Sequence, residues 1–387
     1  MENLALHFKH HDEGLDVAFE TYRMLRERCP IGFSEEYGGF WVLSRYRDVF
    51  AAEQDWDTFR VAPGMLLPPL GNPRPMIPID IDPPAHTKYR RLTLPFFTPQ
   101  RMQSAEPIVR AVATELADRV LSTQHCDAAT DYASPLPAMV FCRIAGLPPE
   151  DHEMLVDWVN RVFYSRTHDS VDTQKATDEC YAYLERHLHA LRPSASNGYL
   201  FQYLIDAEVD GRELTRDELL DYGFNLLTAG LDTTAWTIRS GLWYLAHHQE
   251  AVEELRLRPE LIGSAVEEFL RCLSPVQGMA RTVARPVMVG DVELDEGDRV
   301  LLLFGSANRD SEKFPDGDTV TIGRDPNPHI AFGAGVHRCL GSNLARREVR
   351  IALEEFLRRV TGFRLTDNAI PWHGVGPLPL ELRLDRS

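Results

Sequence analysis

Residues 332–341 read FGAGVHRCLG, which puts Gly333, Gly335 and Gly341 around a single thiol, Cys339. The next residues, SNLARREVRIALEEFLRRV (342–360), repeat apolar side chains at Ala345, Val349, Ala352, Phe356 and Val360. That spacing predicts a helix with one apolar face. Cys339 therefore sits just before a helix N-terminus, where unpaired N–H groups and positive partial charge favour thiolate over thiol. His337 and Arg338 add positive charge. The glycines allow backbone to come close to a sulfur or to a flat ligand.

Three other readings of this segment compete. A buried cysteine is more often inert packing than a ligand. A glycine-rich turn before a helix can cradle phosphate, but the chain has neither GxxxxGK[ST] nor a strand–GxGxxG–helix unit followed by an acid. A nucleophilic thiol needs an oriented base, and only His337 is adjacent, without triad order.

Composition bounds the rest. The chain has 387 residues and a formal net charge of −17, which argues against general affinity for nucleic acid or anionic membrane. The six cysteines show no CxxC pair or regular spacing, as expected of reduced thiols. The N-terminus MENLALHFKHHDEGLD lacks an apolar signal core, and no apolar run reaches transmembrane length. These features predict a cytoplasmic protein.

Along the chain, residues 16–28 read as a helix, and FSEEYGGFWVLSRYRDVF (33–50) as strands around Gly38-Gly39 followed by a helix. Residues 61–84, VAPGMLLPPLGNPRPMIPIDIDPP, are too rich in proline for a long helix or a central strand. An ordered loop of that length is usually functional. From about 86 to 280 the pattern is helical. Short strands return at about 281–325, as they do at about 29–60. The expected fold is mainly α with a minor β region, a single large domain over 1–387.

TAGLDTTAW (228–236) lies inside the longest helical pattern. Gly230 among Thr228, Thr233 and Thr234 lowers helix propensity and predicts a local distortion. Small-residue helix packing explains the block equally well, but an acid beside an alcohol, Asp232-Thr233, also suits proton delivery. Glu268 and Arg271 in EEFLR share a helix face at i, i+3, a pair that on most surfaces is worth little.

Taken together these segments resemble the cytochrome P-450 family. All six positions of the motif Phe332-Gly333-x-Gly335-x-His337-x-Cys339-x-Gly341 match the family's haem signature. Ala229, Gly230, Asp232, Thr233 and Thr234 match its distal-helix block, and Glu268-x-x-Arg271 with Arg324 its structural triad. Thr321 stands where the family often has an acid. The resemblance implies a single haem-thiolate monooxygenase domain with haem b as cofactor and Cys339 as iron ligand. It assigns the haem propionates to His86, Arg90, Arg281 and His337. Asp232 then relays protons, and Thr233 presents them to dioxygen. The implied reaction is hydroxylation of a C–H bond with one atom of O2.

The same resemblance implies a pocket wall from Met65, Leu66, Met76 and Ile79, from Asn225, Thr228 and Ala229, from Val276, Gln277 and Gly278, and from Ile370, Pro371 and Trp372. These are mainly apolar, so the expected substrate is a small hydrophobic molecule. Asn225 is a candidate anchor for a polar group, against the plain alternative of a hydrogen bond within its helix. Arg74 is a second candidate anchor. The chain has no room for a reductase domain, so electrons come from a separate donor, a [2Fe-2S]-type or other small ferredoxin. Lys88, Arg91, Arg338, Arg346, Arg347 and Arg350 are the candidate docking cations, although each reads singly as a solvated side chain. A peroxygenase, a non-oxidative haem-thiolate protein and a zinc or thiol hydrolase are the competing classes; the Asp232-Thr233 block speaks against the first two.

Overall fold

A computed structural model describes residues 7–9, 15–72, 74–122, 125–165, 169–190, 199–366 and 377–383. In chain order the elements begin with α1 (Leu15–Arg28), β1 (Ile31–Ser34), β2 (Phe40–Leu43), α2 (Tyr46–Gln54), β3 (Phe59–Arg60) and α3 (Ala85–Thr93). Next come α4 (Pro99–Ser104), α5 (Glu106–Leu121), β4 (His125–Asp127), α6 (Pro135–Ala145), α7 (His152–Tyr164), α8 (Ser170–Ala190) and α9 (Leu200–Ile205). The middle of the chain holds β5 (Glu208–Val209), β6 (Arg212–Glu213), α10 (Arg216–His247), α11 (Gln249–Leu257) and α12 (Ile262–Leu273). It ends with β7 (Met279–Val283), β8 (Val287–Val289), β9 (Val292–Leu294), β10 (Arg299–Leu302), α13 (Phe304–Ala307), α14 (Ser342–Arg359), β11 (Gly362–Leu365) and β12 (Pro379–Arg383). The fold is mainly α with a minor β region, as the sequence predicts.

The chain divides into two compact units: Met1–Thr87 with Glu268–Cys339, and Lys88–Glu267 with Leu340–Ser387. The first unit is built on a five-stranded sheet ordered β1-β2-β10-β7-β3. Its β2–β10 pair is parallel, with Leu301 opposite Val42, and β7–β10 is antiparallel, with Val300 opposite Arg281. Alternation along the strands makes two cores. Val300 and Leu302 join Leu43, Val49, Phe59 and Phe304 on one face. Leu301 and Leu303 join Phe40, Val42, Tyr22 and Leu25 on the other. Each such side chain stabilises the unit by about 1.5–3 kcal/mol on burial.

The proline-rich segment is irregular and held by carboxylates. Asp82 accepts the N–H groups of Val61 (2.9 Å) and Ala62 (3.2 Å), and Asp80 accepts those of Met65 (3.4 Å) and Met76 (3.0 Å). The acids of PIDIDPP thus replace the backbone pairing that proline forbids.

One buried network roots the later part of this unit. Glu268 and Arg271 are fully buried. Arg271 donates from Nε and Nη2 to the two oxygens of Glu268, both at 2.8 Å. Arg324 (3.0 Å), the Thr321 N–H (2.8 Å) and Asn327 (3.1 Å) also donate to that carboxylate. The rest of the Arg271 fork reaches the carbonyls of Asn308, Gly317 and Thr319. Thr321, the residue that departs from the family pattern, accepts from Arg324 Nη2 through its hydroxyl at 3.2 Å.

In the second unit α10 runs from Arg216 to His247 and packs against α6, α7, α8 and α14. A capping box, Thr215 with Glu218, starts it. α6 is buried over nearly its whole circumference, which suits its apolar sequence. On α14 the buried set is wider than the predicted stripe: Val349, Ala352 and Phe356 are joined by Ile351, Leu353 and the acids Glu348 and Glu355.

Removing one partner from a buried ion pair leaves the other uncompensated, so Arg271→Leu is expected to lower unfolding free energy by about 3–5 kcal/mol in urea titrations. Burial alone would raise the Glu268 carboxyl, but the bonds and charge of Arg271, with Thr321 and Arg324, hold it below its ordinary 4.5. A depressed carboxyl stabilises the fold above its unfolded value, and that share is lost as pH falls through the folded one. The acid limb of the stability profile should therefore flatten in Glu268→Gln.

Candidate active site

Cys339 is exposed, whereas Cys126, Cys142, Cys180 and Cys272 are buried and Cys29 is half-buried. Burial pushes the thiols of Cys126 and Cys142 up to about 12, and also raises those of Cys180 and Cys272. Cys339 is the thiol that can reach an external metal. Its N–H donates to the Phe332 carbonyl at 2.8 Å, closing the 332–339 loop.

Gly333 (φ +65°) and Gly335 (φ +62°) adopt the left-handed region that favours glycine. On the side where a Cβ would stand, both glycines face α2. A Cβ on Gly335 would lie 2.2 Å from the Glu53 carbonyl oxygen, and one on Gly333 would lie 3.0 Å from Glu53 Oε2. Gly341 does border open space.

The proposed propionate ligands of the first unit gather near this loop. The rings of His86 and His337 lie 4.2 Å apart between centroids. Arg281 is buried on β7 and donates to the Ala280 carbonyl (2.9 Å) and to Glu53. Arg90 is half-buried on α3, one turn beyond His86.

In the second unit Ala229 and Gly230 are exposed in the middle of the otherwise buried α10, and a Cβ at Gly230 would meet nothing. The expected distortion is absent, and α10 is uninterrupted. The Thr233 hydroxyl donates to the Ala229 carbonyl at 3.1 Å, and Thr228 and Thr237 bond one turn back in the same way. Such back-bonds satisfy the hydroxyls without breaking the helix. Asp232 accepts a hydrogen bond from the Tyr164 hydroxyl at 2.8 Å. Arg239, two turns on and buried, sits in the field of Tyr164, Asp127 and Asp232. The neighbouring Thr234 bonds to Glu348, whose carboxyl burial raises far above its ordinary value.

The proposed pocket residues divide. Met65 and Met76 are buried, and Ile79 is half-buried. Asn225 is buried, and its Oδ1 accepts no hydrogen bond among the described residues. Gly278 is buried. Val276 packs on the sheet core. Gln277 is occupied structurally: its amide donates to the Leu273 carbonyl at 2.9 Å and to that of Ser274, capping α12, while its Oε1 lies 2.0 Å from where a Gly305 Cβ would be. Ile370, Pro371 and Trp372 lie outside the described residues.

Four of the six candidate docking cations have acid partners. Lys88 bonds Asp210 (2.6 Å), Arg346 bonds Glu267 (2.7 Å), Arg347 bonds Glu106 (3.1 Å), and Arg350 bonds Glu106 (3.0 Å) and Glu354. These three arginines, with Gly263, Val266, Glu267 and Asn343, line a groove. Sequence reasoning missed Glu53, Tyr164 and Glu348. Only Glu53 left a trace, an acid beside the apolar positions of α2. Among the described residues no three His, Cys, Asp or Glu side chains gather as a metal site, the arrangement a zinc hydrolase needs. No described helix is long and apolar enough to cross a membrane.

The model of the family described as Cytochrome P450 matches residues 151–257 and 259–367. The chain is 35% identical to a mycinamicin IV hydroxylase/epoxidase of Micromonospora griseorubida, over 89% of this chain and 87% of that protein. It is 33% identical to a steroid C26-monooxygenase of Mycolicibacterium smegmatis, over 94% and 88%. Among solved structures, CYP109E1 from Bacillus megaterium in complex with testosterone superposes with a TM-score of 0.84 at 28% identity, covering 94% of this chain and 97% of that one.

The chain belongs to the cytochrome P450 family. It is a P450 monooxygenase, and its family carries a haem-thiolate cofactor. Within the first unit the residues present fit that group: an accessible sulfur after a closed loop and two adjacent imidazoles.

Two outcomes follow for this P450. In protein stripped of haem, iodoacetamide should label Cys339 before the four buried cysteines, as read by peptide mass spectrometry. Burial raises the Glu348 carboxyl far above its ordinary 4.5, so between that value and the raised one the native state binds more protons than the unfolded one. Stability thus falls as pH rises there, and Glu348→Gln, neutral throughout, should lose that slope, so that its stability in urea titrations gains on wild type as pH rises.

Proposed function

We propose that this P450 hydroxylates a C–H bond of a hydrophobic molecule with one atom of O2, taking electrons from a separate small ferredoxin and its reductase. The observation that carries this reading is the accessible Cys339 thiol on a closed glycine loop, in a chain that also holds the Asp232-Thr233 pair. In this reading the cofactor is haem b, with Cys339 Sγ on iron and with His86, Arg90, Arg281 and His337 toward the propionates. When bound, thiolate-ligated haem supplies the electron push that favours O–O cleavage.

The chain's own residues manage protons and substrate. Asp232, held by Tyr164, takes protons from solvent, and Thr233 passes them on by releasing its bond to the Ala229 carbonyl. Asn225 lies on the same face of α10 as Ala229 and Thr233, at i, i+4 and i+8. Its acceptor oxygen suits a substrate hydroxyl. Two relatives are named for mycinamicin IV and for a steroid, so a hydrophobic molecule bearing a hydroxyl, such as a hydroxysteroid, is the proposed class. The groove lined by Arg346, Arg347 and Arg350 is the proposed ferredoxin contact. Because those arginines already have acid partners, that contact exchanges ion pairs rather than meeting bare charge. We place the protein in the cytoplasm.

Turnover with a ferredoxin and ferredoxin reductase on a hydroxysteroid and macrolide panel tests the reading. Wild type should form hydroxylated product coupled to electron use. In Thr233→Val product per electron pair should fall about tenfold or more while oxygen uptake continues; equal coupling would remove Thr233 from the relay. In Asn225→Leu, affinity for a hydroxylated substrate, read from the haem spin-state shift, should weaken about tenfold, with the deoxy analogue little changed.

A further inference from the structure

Arg281, which the family resemblance directs to a haem propionate, is engaged by an acid that the resemblance does not mention. Glu53 stands in the last turn of α2, and its side chain is 1% exposed. Its Oε1 accepts from Arg281 Nη2. Its Oε2 accepts the Ala334 N–H at 2.9 Å. One buried carboxylate therefore ties a helix, a strand of the central sheet and the loop that carries Cys339.

The loop backbone is shaped to this acid. Gly333 and Gly335 both have positive φ, and no side chain fits between either of them and Glu53. The Ala334 N–H that Glu53 takes up lies between those two glycines. Other hydrogen bonds of the segment run from the Ile330 N–H to Asn308 Oδ1 at 2.8 Å, from the Gly333 N–H to the Ile330 carbonyl at 2.9 Å, from the Arg338 N–H to the Gly335 carbonyl at 3.3 Å and from the Cys339 N–H to the Phe332 carbonyl. Glu53 brings a side chain from another element to the middle of the turn, at Ala334. A charged acceptor on a backbone N–H makes a stronger bond than a neutral one. A loop that must hold a thiolate against a metal gains from such a fixed support.

We propose that Glu53 is the positioning residue of the thiolate loop: its carboxylate latches the Ala334 N–H to Arg281 and so keeps Cys339 in its ligating position. This rests on the haem-thiolate reading above. The latch does not touch the reacting atoms, and it acts through the loop.

Losing it should show in ligation before it shows in folding. The test compares wild type, Glu53→Leu, Glu53→Gln and, as a control, Arg285→Gln, which breaks the exposed Arg285–Asp57 pair. Each haem-loaded protein is reduced under carbon monoxide. The decay of the strongly red-shifted Soret band into the band of haem without thiolate is timed at a temperature where far-UV circular dichroism is unchanged. Glu53→Leu, with neither charge nor acceptor, should decay at least about tenfold faster than wild type. Glu53→Gln keeps an acceptor for Ala334 and should fall between them. Arg285→Gln should match wild type. If Glu53→Leu does not load haem, Glu53→Gln decides: a lifetime shortened about threefold or more supports the latch, and a wild-type lifetime overturns it. Wild-type lifetimes in both Glu53 variants overturn it, as does a loss of the band that only tracks loss of circular dichroism. A wild-type protein with no red-shifted band at all would instead refute the haem-thiolate reading.

Discussion

The fully buried Arg271–Glu268 pair is the constraint from which the rest of the ligand-bearing unit follows. A guanidinium withdrawn from water must satisfy its donors, and this one does so on Glu268 and on three carbonyls of the 308–319 segment. Asn308, whose carbonyl Arg271 holds, turns its own side chain to Ser274 (2.9 Å) and to the Ile330 N–H. Ile330 begins the turn that leads to Cys339. A chain of hydrogen bonds thus runs from a buried carboxylate to the root of the thiol loop. The network is structural in its chemistry and functional in what it positions.

Around that root the acids divide by environment. Glu268 and Glu53 are buried with guanidinium partners, whereas Glu348 is buried beside the Thr234 hydroxyl and its carboxyl is raised far above the ordinary value. Asp232 is half-buried and bonded by a phenol. The same residue type is a counter-ion, a neutral packing group or a candidate proton carrier according to what surrounds it. Thiols divide in the same way, since burial holds four of the cysteines protonated and leaves Cys339 accessible.

Much of this was legible in the sequence because it rests on period and spacing. The helix at 342–360, the strands around Gly38-Gly39 and the i, i+3 pair Glu268–Arg271 each follow from local pattern. The fully buried state of that pair did not, because spacing alone cannot tell a surface pair from a core one. Gly230 suggested a distortion, yet α10 runs through it without interruption. That the Gln277 amide caps α12 was not legible from its position in the chain. The glycines of the cysteine loop stood out in the sequence, but their contact with Glu53 did not. Their approach to Glu53 depends on a contact about 280 residues away in the chain, and no local pattern carries it. Glu348 was hidden within a run of charged residues, where nothing marks the one that turns inward.

Ligation of haem iron by the Cys339 thiolate is tested most directly by the spectrum of the reduced protein with carbon monoxide. Such ligation gives a strongly red-shifted Soret band in wild type and its loss in Cys339→Ser. A wild-type band like that of a histidine-ligated globin, or a red-shifted band that survives in Cys339→Ser, would contradict it.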